Sequence, residues 1–229
     1  RSRALLIQRG FTPDRFFHGL LSTAQSDSAG RQMPAFLHDP DLHVLPMTVP
    51  TGNAMLHAVG VARQVHEGEG SPIVVAGVGD GTTQQGEVME AIAEAGRVGL
   101  PVLFWIEDNG YAISVPVDVQ TAGGNVAHLV KDFPNLFWVE EVDGNDPVAS
   151  YQVLTEAVKW CREGNGPIIL EMLTYRYRGH SMSDPAKYRT REEVEEGMRV
   201  ALGAYLDWLR ERGETPPAPS SCEVGFIAA

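Results

Sequence analysis

The stretch IVVAGVGDGTTQQGEVMEAIAEAGRVGLPVLFWIEDNGYAI, residues 73–113, decides the predicted fold. Its first apolar run, 73–78, has the composition of a buried strand and ends in the turn Gly79-Asp80-Gly81. A helical pattern follows, in which the apolar residues fall on one face: Val88, Ala91, Ile92, Ala95 and Val98. The first part of the stretch therefore predicts a strand, a tight turn and a helix.

A second apolar run, 102–106, completes the unit and ends in the polar residues Glu107-Asp108-Asn109-Gly110. Two parallel strands joined by a crossover helix are the usual arrangement for this pattern. The carboxyl ends of parallel strands meet at one edge of the sheet. The sequence therefore predicts that Asp80 and Asn109 lie at the same edge.

This edge has the residues of a site for a diphosphate and its metal ion. Ligands of open α/β sheets bind at the carboxyl ends of the strands, and a helix that opens on a glycine turn favours phosphate. Asp80 adds a carboxylate and Asn109 an amide oxygen, both of which suit a magnesium ion already held by two phosphate oxygens. A diphosphate with its own metal fits better than a bare nucleotide.

The rest of the chain continues the alternation of strands and helices. The patterns predict, in chain order, two helices within 1–22, a helix at 53–66, a strand at 136–142, a helix at 147–162, a strand at 167–175 and a helix at 191–212. Residues 23–50 and 114–135 have the composition of long polar loops. The predicted fold class is α/β, with a doubly wound, mostly parallel sheet and helices on both faces.

Composition narrows the kind of protein. The chain has 229 residues and a net charge of −12, which argues against a nucleic-acid partner. No apolar stretch approaches the ~18 residues that a membrane span needs, so no membrane partner is expected. Two cysteines without disulfide or metal spacing suit a reducing compartment. We expect a cytoplasmic protein, or a mitochondrial matrix protein if its source is eukaryotic.

The α/β domain is predicted to span 1–214. Residues 216–221, PPAPSS, have linker composition, so 215–229 is predicted to be a disordered tail. The chain starts at Arg1 without a methionine or a leader pattern, and we expect the domain to be truncated at its N-terminus.

A second group of charged residues follows the last predicted strand. Arg176, Arg178 and His180 form a small positive cluster in an otherwise acidic chain. A diphosphate needs such a cluster, because cationic donors make the strongest hydrogen bonds to phosphate oxygens.

Four motifs, in this order, resemble a known family. They are GRQMP at 30–34, GDG at 79–81, EDNGYAIS at 107–114 and YRYRGHSMSDP at 175–185. Asn109 follows the first glycine of GDG by 30 positions, which is similar to the thiamine diphosphate signature. From Arg1 to about Arg191 the chain resembles the alpha subunit of the decarboxylating component of 2-oxo acid dehydrogenase complexes.

The resemblance implies a thiamine diphosphate-binding fold, with thiamine diphosphate and magnesium as cofactors. It implies oxidative decarboxylation of a 2-oxo acid, with transfer of the acyl group to a lipoyl-bearing acyltransferase component. A beta subunit would supply the glutamate that activates the cofactor, in a heterotetramer. The substrate stays open, because GRQMP resembles the branched-chain members, whereas SMSDP with YRTREE resembles the pyruvate members.

The resemblance also implies roles for single residues. Asp80, Asn109 and the backbone oxygen of Tyr111 would hold the metal. The other predicted cofactor-binding residues lie at the chain start, at the glycine turn and in the last motif: Arg1, Gly79, Gly81, Thr82, Arg176 and His180. His180 is also the predicted catalytic residue. Ser181 occupies a position that is phosphorylated in some members.

Two further contacts concern the organic part of the cofactor. The backbone carbonyl of Thr51 would accept a hydrogen bond from the aminopyrimidine, and Ile113 would be an apolar wedge between the two rings. Ordinary alternatives stay open: Arg1 as a frayed terminus, Thr51 as a helix cap and Ile113 as a core residue.

Two other functions also stay open. The sequence GVGDGT at 77–82, after a strand, resembles the fingerprint of a Rossmann-like NAD or methyl-donor site. Thr82 stands where the third glycine is expected, and no acidic residue ends a strand about 20 positions further on, which opposes this function. The other open function is that of a non-catalytic interaction subunit with a relic site.

Overall fold

The computed structural model describes residues 3–34, 36–65, 71–133 and 138–215, in which helices and strands alternate. In chain order the elements are α1 (Arg3–Gln8), α2 (Pro13–Leu20), α3 (Asn53–Val65), β1 (Val74–Gly79), α4 (Gly86–Val98), β2 (Val102–Asp108), β3 (Tyr111–Ala112), β4 (Val115–Pro116), α5 (Val117–Gln120), α6 (Val126–Val130), β5 (Trp138–Asp143), α7 (Pro147–Arg162), β6 (Ile168–Leu173) and α8 (Arg191–Glu211). The strands and helices predicted in 53–113 and 136–212 are confirmed to within a few residues.

Four parallel strands form one sheet in the order β1-β2-β6-β5. In its centre, Ile106 of β2 is the register neighbour of Val78 in β1 and of Glu171 in β6. The strands run in the same direction, so the residues that follow β1 and β2 share one edge. β3 and β4 form a separate antiparallel hairpin beyond that edge. The predicted parallel α/β sheet is confirmed.

Helices cover both faces of this sheet, as predicted. Side chains of a strand alternate between the faces, so Leu103 and Phe104 belong to different cores. Phe104 packs with Ile169 against α3, α4 and α6, whereas Leu103 packs with Leu170 against α7. All four side chains are fully buried, and burial of such side chains contributes ~1.5–3 kcal/mol each.

Two predictions about local structure are wrong. The region 114–135 was expected to be a polar loop, but it contains β4, α5 and α6, because Val126 and Val130 are buried in the core beside α4. The helix after the glycine turn does not open on that turn. A 3₁₀ turn, Asp80–Gln84, comes first, and α4 begins at Gly86.

Much of the C-terminal helix α8 is exposed to solvent. Leu209 is buried, but Met198, Leu202 and Tyr205 of the same helix are exposed. Apart from Thr215, the predicted tail 215–229 lies outside the described residues, so the domain boundary stays a prediction. Within the described ranges, no helix is both long enough and apolar enough to cross a membrane.

Candidate functional site

Asp80 and Asn109 meet at the carboxyl edge of the sheet. Asp80 directly follows β1 and Asn109 directly follows β2, and Asn109 Nδ2 donates a hydrogen bond to Asp80 Oδ1 at 3.2 Å. The structure thus brings together two of the predicted metal ligands. Their binding of a metal stays a prediction.

Polar oxygen atoms of both side chains are buried at this edge. Asn109 Oδ1 is buried without a hydrogen-bond partner, and a buried acceptor in this state is unfavourable. Asp80 is 1% exposed. Burial raises the pKa of the Asp80 carboxyl, the charge of Asp108 raises it further, and the backbone N–H groups of Gly81 and Asn109 partly oppose this shift. A cation between Asp80 and Asn109 would stabilise the ionised carboxylate and pair the orphaned oxygen.

The protein oxygens at this point do not form a complete metal cage. Asp80 supplies one carboxylate, and within the described residues no three His, Cys, Asp or Glu side chains gather as a metal site. Magnesium prefers six oxygens and is commonly bound by one or two protein groups together with substrate phosphates. The residues present therefore fit a magnesium ion that arrives with a diphosphate.

A second side-chain amide contacts the Asp80 carboxylate. Gln120 Nε2 donates to Asp80 Oδ2 at 3.2 Å, so side-chain amides hold both carboxylate oxygens. The sequence analysis missed Gln120 because it lies in a region predicted to be a loop. Gln120 lies close to Asp80 because it ends the short helix α5, which the sequence pattern does not predict.

The glycine turn is shaped by the hairpin that packs on it. A Cβ atom at Gly81 would lie 2.5 Å from the Cβ of Ala112, so only glycine allows this approach. Gly79 is the buried last residue of β1. Thr82 is half-buried, and its carbonyl accepts a hydrogen bond from the N–H of Gln85. The three predicted turn residues therefore lie beside Asp80.

Tyr111 and Ile113 belong to the same hairpin. Ile113 has a φ of +57° and is 57% exposed. Its alternative interpretation as a core residue is therefore wrong. A β-branched residue at positive φ is strained, and such strain is concentrated at functional sites. The ring of Tyr111 lies 5.2 Å from that of Tyr188, which connects the hairpin with the 175–190 loop.

Arg176 joins the positive cluster to this hairpin. Its Nη2 donates to the backbone oxygen of Ile113 and to Tyr188 Oη, the latter at 2.8 Å. Its Nη1 lies 3.5 Å from Nδ1 of His180, whose side chain is exposed. Arg176 and His180 are thus brought together as predicted, next to the hairpin that contacts Gly81.

Asp184 fixes the turn that carries His180. The Asp184 carboxylate accepts hydrogen bonds from the backbone N–H groups of His180 and Ala186 and from the hydroxyl of Tyr188, at 2.7–2.9 Å. These donors lower its pKa to about 2. Gly179 is required here, because a Cβ atom would lie 2.4 Å from the Asp184 carbonyl oxygen.

Arg189 is a buried cation that the sequence analysis missed. It is 8% exposed and donates to the backbone oxygens of Arg176 and Arg178. Its guanidinium also lies over three rings at 5.4–5.7 Å: Tyr111, Tyr175 and Tyr188. The sequence pattern does not distinguish a buried arginine from one at the surface. The tyrosines near Arg189 were the available signal of its burial.

Glu171 was also missed. It is fully buried in β6, where it accepts hydrogen bonds from the backbone N–H groups of Val126 and Ala127. Burial raises its pKa to about 7, the two N–H donors oppose the shift, and Asp108 adds to it. An acid inside the apolar strand Ile168–Leu173 was the available signal.

The remaining predicted contacts are less defined. Thr51 is exposed and lies two residues before α3. The adjacent Gly52 packs on the start of α4, where its Cβ would lie 3.1 Å from Gln85 Cβ. Arg1 lies outside the described residues.

Comparisons with known proteins show the family of this chain. The family model described as dehydrogenase E1 component matches residues 1–201. The 3-methyl-2-oxobutanoate dehydrogenase subunit alpha of Mycobacterium tuberculosis is 38% identical over 172 residues, covering 73% of this chain and 46% of that protein. The 2-oxoisovalerate dehydrogenase subunit alpha of Bacillus subtilis is 34% identical over 218 residues, covering 93% of this chain and 65% of that protein.

A mitochondrial relative and a solved structure also match. The mitochondrial pyruvate dehydrogenase E1 component subunit alpha of Dictyostelium discoideum is 36% identical over 203 residues, covering 85% of this chain and 50% of that protein. A solved structure described as a thiamin diphosphate-dependent enzyme from Mycobacterium smegmatis overlaps 59% of this chain and 26% of that chain, with 24% identity and a TM-score of 0.44.

The chain spans 46–65% of the length of the three named relatives. The residues matched by the family model, 1–201, include the glycine turn, Asn109 and the 175–185 motif. This chain belongs to the dehydrogenase E1 component family.

Proposed function

We propose that this chain binds the magnesium ion and the diphosphate of thiamine diphosphate within an enzyme that oxidatively decarboxylates a 2-oxo acid. The observation that supports it most strongly is the pair of buried Asp80 and half-buried Asn109, with one carboxylate and one buried, unpaired amide oxygen at the carboxyl edge of a parallel sheet. Membership of the dehydrogenase E1 component family supports the proposal.

Each predicted residue within the described ranges has a physical task in this function. Asp80, Asn109 and the backbone oxygen of Tyr111 would hold the metal, and Gly79, Gly81 and Thr82 would border the diphosphate. Arg176 would add positive charge on the other side of the hairpin, and the exposed His180 would contact the reacting group. Bound thiamine diphosphate supplies the carbanion chemistry of decarboxylation. Ile113, exposed and strained, would contact its rings, and Thr51 its aminopyrimidine.

The activating acid would come from a beta subunit. Glu171 is the buried, raised-pKa glutamate of the described site, but backbone N–H groups occupy both of its oxygens. Glu87, Glu90 and Glu94 lie on α4, behind the turn. We therefore propose a heterotetramer in which a beta subunit supplies the activating glutamate. This heterotetramer would pass the acyl group to a lipoyl-bearing acyltransferase component. The substrate is pyruvate or a branched-chain 2-oxo acid, and the compartment is the cytoplasm or the mitochondrial matrix.

The Rossmann-like alternative fits the turn poorly. In that fold the helix begins at the glycine turn and its N–H groups face the pyrophosphate, whereas here α4 begins at Gly86. The carboxylate of Asp80 at this point would repel a phosphate that carries no metal.

Calorimetric titration of the purified protein separates the three functions. We expect saturable binding of thiamine diphosphate that requires magnesium and disappears with a chelator, and no binding of NAD or S-adenosylmethionine. Tight binding of either of these two without thiamine diphosphate binding would favour the Rossmann-like function. Binding of none of the three by the assembled protein would favour the interaction subunit.

A further inference from the structure

The segment 117–130 follows the small hairpin and touches Asp80 through Gln120. Gln120 Nε2 donates to Asp80 Oδ2 at 3.2 Å, and Asn109 Nδ2 donates to Oδ1 at the same distance. Asn109 directly follows a central strand of the sheet, which fixes its position. Gln120 ends the single helical turn α5 and needs another support.

That support lies at the other end of the segment. Glu171, fully buried in β6, accepts the N–H of Val126 at 3.1 Å and the N–H of Ala127 at 2.7 Å. These are the first N–H groups of α6, which have no partner inside the helix. Val126 and Ala127 are themselves buried, so solvent cannot readily replace the carboxylate. Glu171 therefore ties the start of α6 to the sheet.

The link between Gln120 and α6 is short and hydrogen-bonded. Thr121 is 2% exposed. Its N–H donates to the carbonyl of Val117 at 2.8 Å, and its own carbonyl accepts the N–H of Gly124 at 2.8 Å. The N–H of Val117 in turn donates to the carbonyl of Gly110 at 2.9 Å. With little slack between the two ends, release of α6 would also displace Gln120.

We propose that Glu171 is a positioning residue that acts through the segment 117–130 to hold Gln120 against Asp80 and so orients the metal-binding carboxylate. Glu171 and Gln120 are otherwise far apart in the sequence, 51 positions. The metal part of this inference rests on the proposed function. The connection from Glu171 to Asp80 does not rest on the proposed function, and it can be measured without any ligand.

The ligand-free test is amide hydrogen exchange on the assembled protein. Glu171→Gln keeps the side-chain volume but offers one acceptor oxygen for two N–H groups. We expect at least tenfold faster exchange in peptides from 117–130, and also in the peptide 79–85, whose Gly81 N–H bonds the Asp80 carboxylate. Gln120→Ala should accelerate exchange in 79–85 and leave 126–130 unchanged. Glu156→Gln and Gln152→Ala, both at exposed positions of α7, are the matched controls.

The second test is magnesium-dependent binding of thiamine diphosphate by calorimetry. Glu171→Gln and Gln120→Ala should each weaken it about tenfold, the size expected when a hydrogen bond to a charged group is lost. Both substitutions disturb the same contact with Asp80. The affinity of the double variant should therefore be at most about twofold lower than that of the single variant that binds less tightly. The two controls should bind as the wild type does.

The outcomes separate the inference from the proposed function. If Glu171→Gln accelerates exchange in 117–130 but leaves 79–85 at the wild-type rate, Glu171 is only a structural cap for α6 and the inference is wrong. Additive losses of affinity in the double variant would also overturn it. If the wild type does not bind thiamine diphosphate, the proposed function fails, and the exchange rate of 79–85 alone decides the connection.

Discussion

Asn109 donates a hydrogen bond to Asp80 at 3.2 Å through its amide nitrogen, while its amide oxygen is buried without a partner. We expect Asn109→Leu to weaken magnesium-dependent thiamine diphosphate binding at least tenfold, about 1.4 kcal/mol, because the oxygen that would pair with the cation is removed. The free energy of unfolding without ligand should change by no more than about 1 kcal/mol, since one hydrogen bond and one orphaned acceptor are lost together.

Calorimetry and urea unfolding check this prediction, with Asn165→Leu on an exposed loop as the control. Wild-type affinity in Asn109→Leu would contradict the role of the amide oxygen. A large loss of unfolding free energy with unchanged affinity would assign Asn109 a purely structural role.

Arg189 is expected to hold the 175–190 loop in place. Arg189→Met keeps a long side chain but removes the donors to the backbone oxygens of Arg176 and Arg178. We expect the free energy of unfolding to fall by about 2 kcal/mol, the scale of a hydrogen bond to a charged group. Limited proteolysis should cut within 176–188 faster. Arg178→Met, at an exposed side chain, is the control. Equal proteolysis of the two variants would count against this role.

Glu171 predicts a pH dependence of stability. Burial raises its folded pKa to about 7 from the ordinary value of 4.5. The backbone N–H donors of Ala127 and Val126 oppose this shift, and Asp108 adds to it. Between these values the folded state binds more protons than the unfolded state, so the free energy of unfolding contributed by this group falls as pH rises from about 4.5 to about 7. The register neighbour Glu141 is exposed and lies 3.5 Å from His128.

Urea unfolding at pH 5 and pH 7.5 measures this effect. The drop in unfolding free energy between the two pH values should be smaller in Glu171→Gln than in the wild type, since glutamine does not titrate. Glu141→Gln is the control for the neighbouring exposed carboxylate. An identical drop in the wild type and Glu171→Gln would show that Glu171 does not bind the extra proton.

Ser181 directly follows His180 and lies in the turn that Asp184 fixes, where its hydroxyl is 3.1 Å from that of Ser183. Added negative charge here would compete with the cofactor phosphates for Arg176 and His180 and loosen the loop; a phosphate carries about −1.5 to −2 charge. We expect Ser181→Glu to weaken thiamine diphosphate binding at least tenfold and to lower decarboxylation in the assembled enzyme. Ser71→Glu, at an exposed position before β1, is the control. Wild-type binding and activity in Ser181→Glu would refute this prediction.

The parts of the fold that the sequence predicted well are those with a strong hydrophobic period. The buried face of α4 at Val88, Ala91, Ile92 and Ala95 follows from local pattern alone. Asp80 and Asn109 could be placed together because strand direction decides which ends share an edge.

The contacts that were missed depend on the tertiary structure. Gln120 and Glu171 act across 40 and 45 positions, on Asp80 and on the N–H of Val126. The helix α6 is five residues long, and its local signal is the N-cap Asn125, whose side chain accepts the N–H of His128. Burial and the distant Glu171 carboxylate add to its stability, and the sequence does not show either of them. Arg189 is similar, because its burial depends on three tyrosines that come from two different loops.

The central claim is that Asp80 holds the metal that carries the diphosphate, and Asp80→Asn in the assembled enzyme tests it most directly. Asparagine keeps the size of the side chain but removes its charge. The control is Asp118→Asn, at an exposed carboxylate close to Gln120 in the sequence. Calorimetry measures the magnesium concentration at which thiamine diphosphate binding is half-saturated. We predict that it rises by ~100-fold or more in Asp80→Asn and is unchanged in Asp118→Asn. The same magnesium requirement in Asp80→Asn as in the wild type would contradict the account.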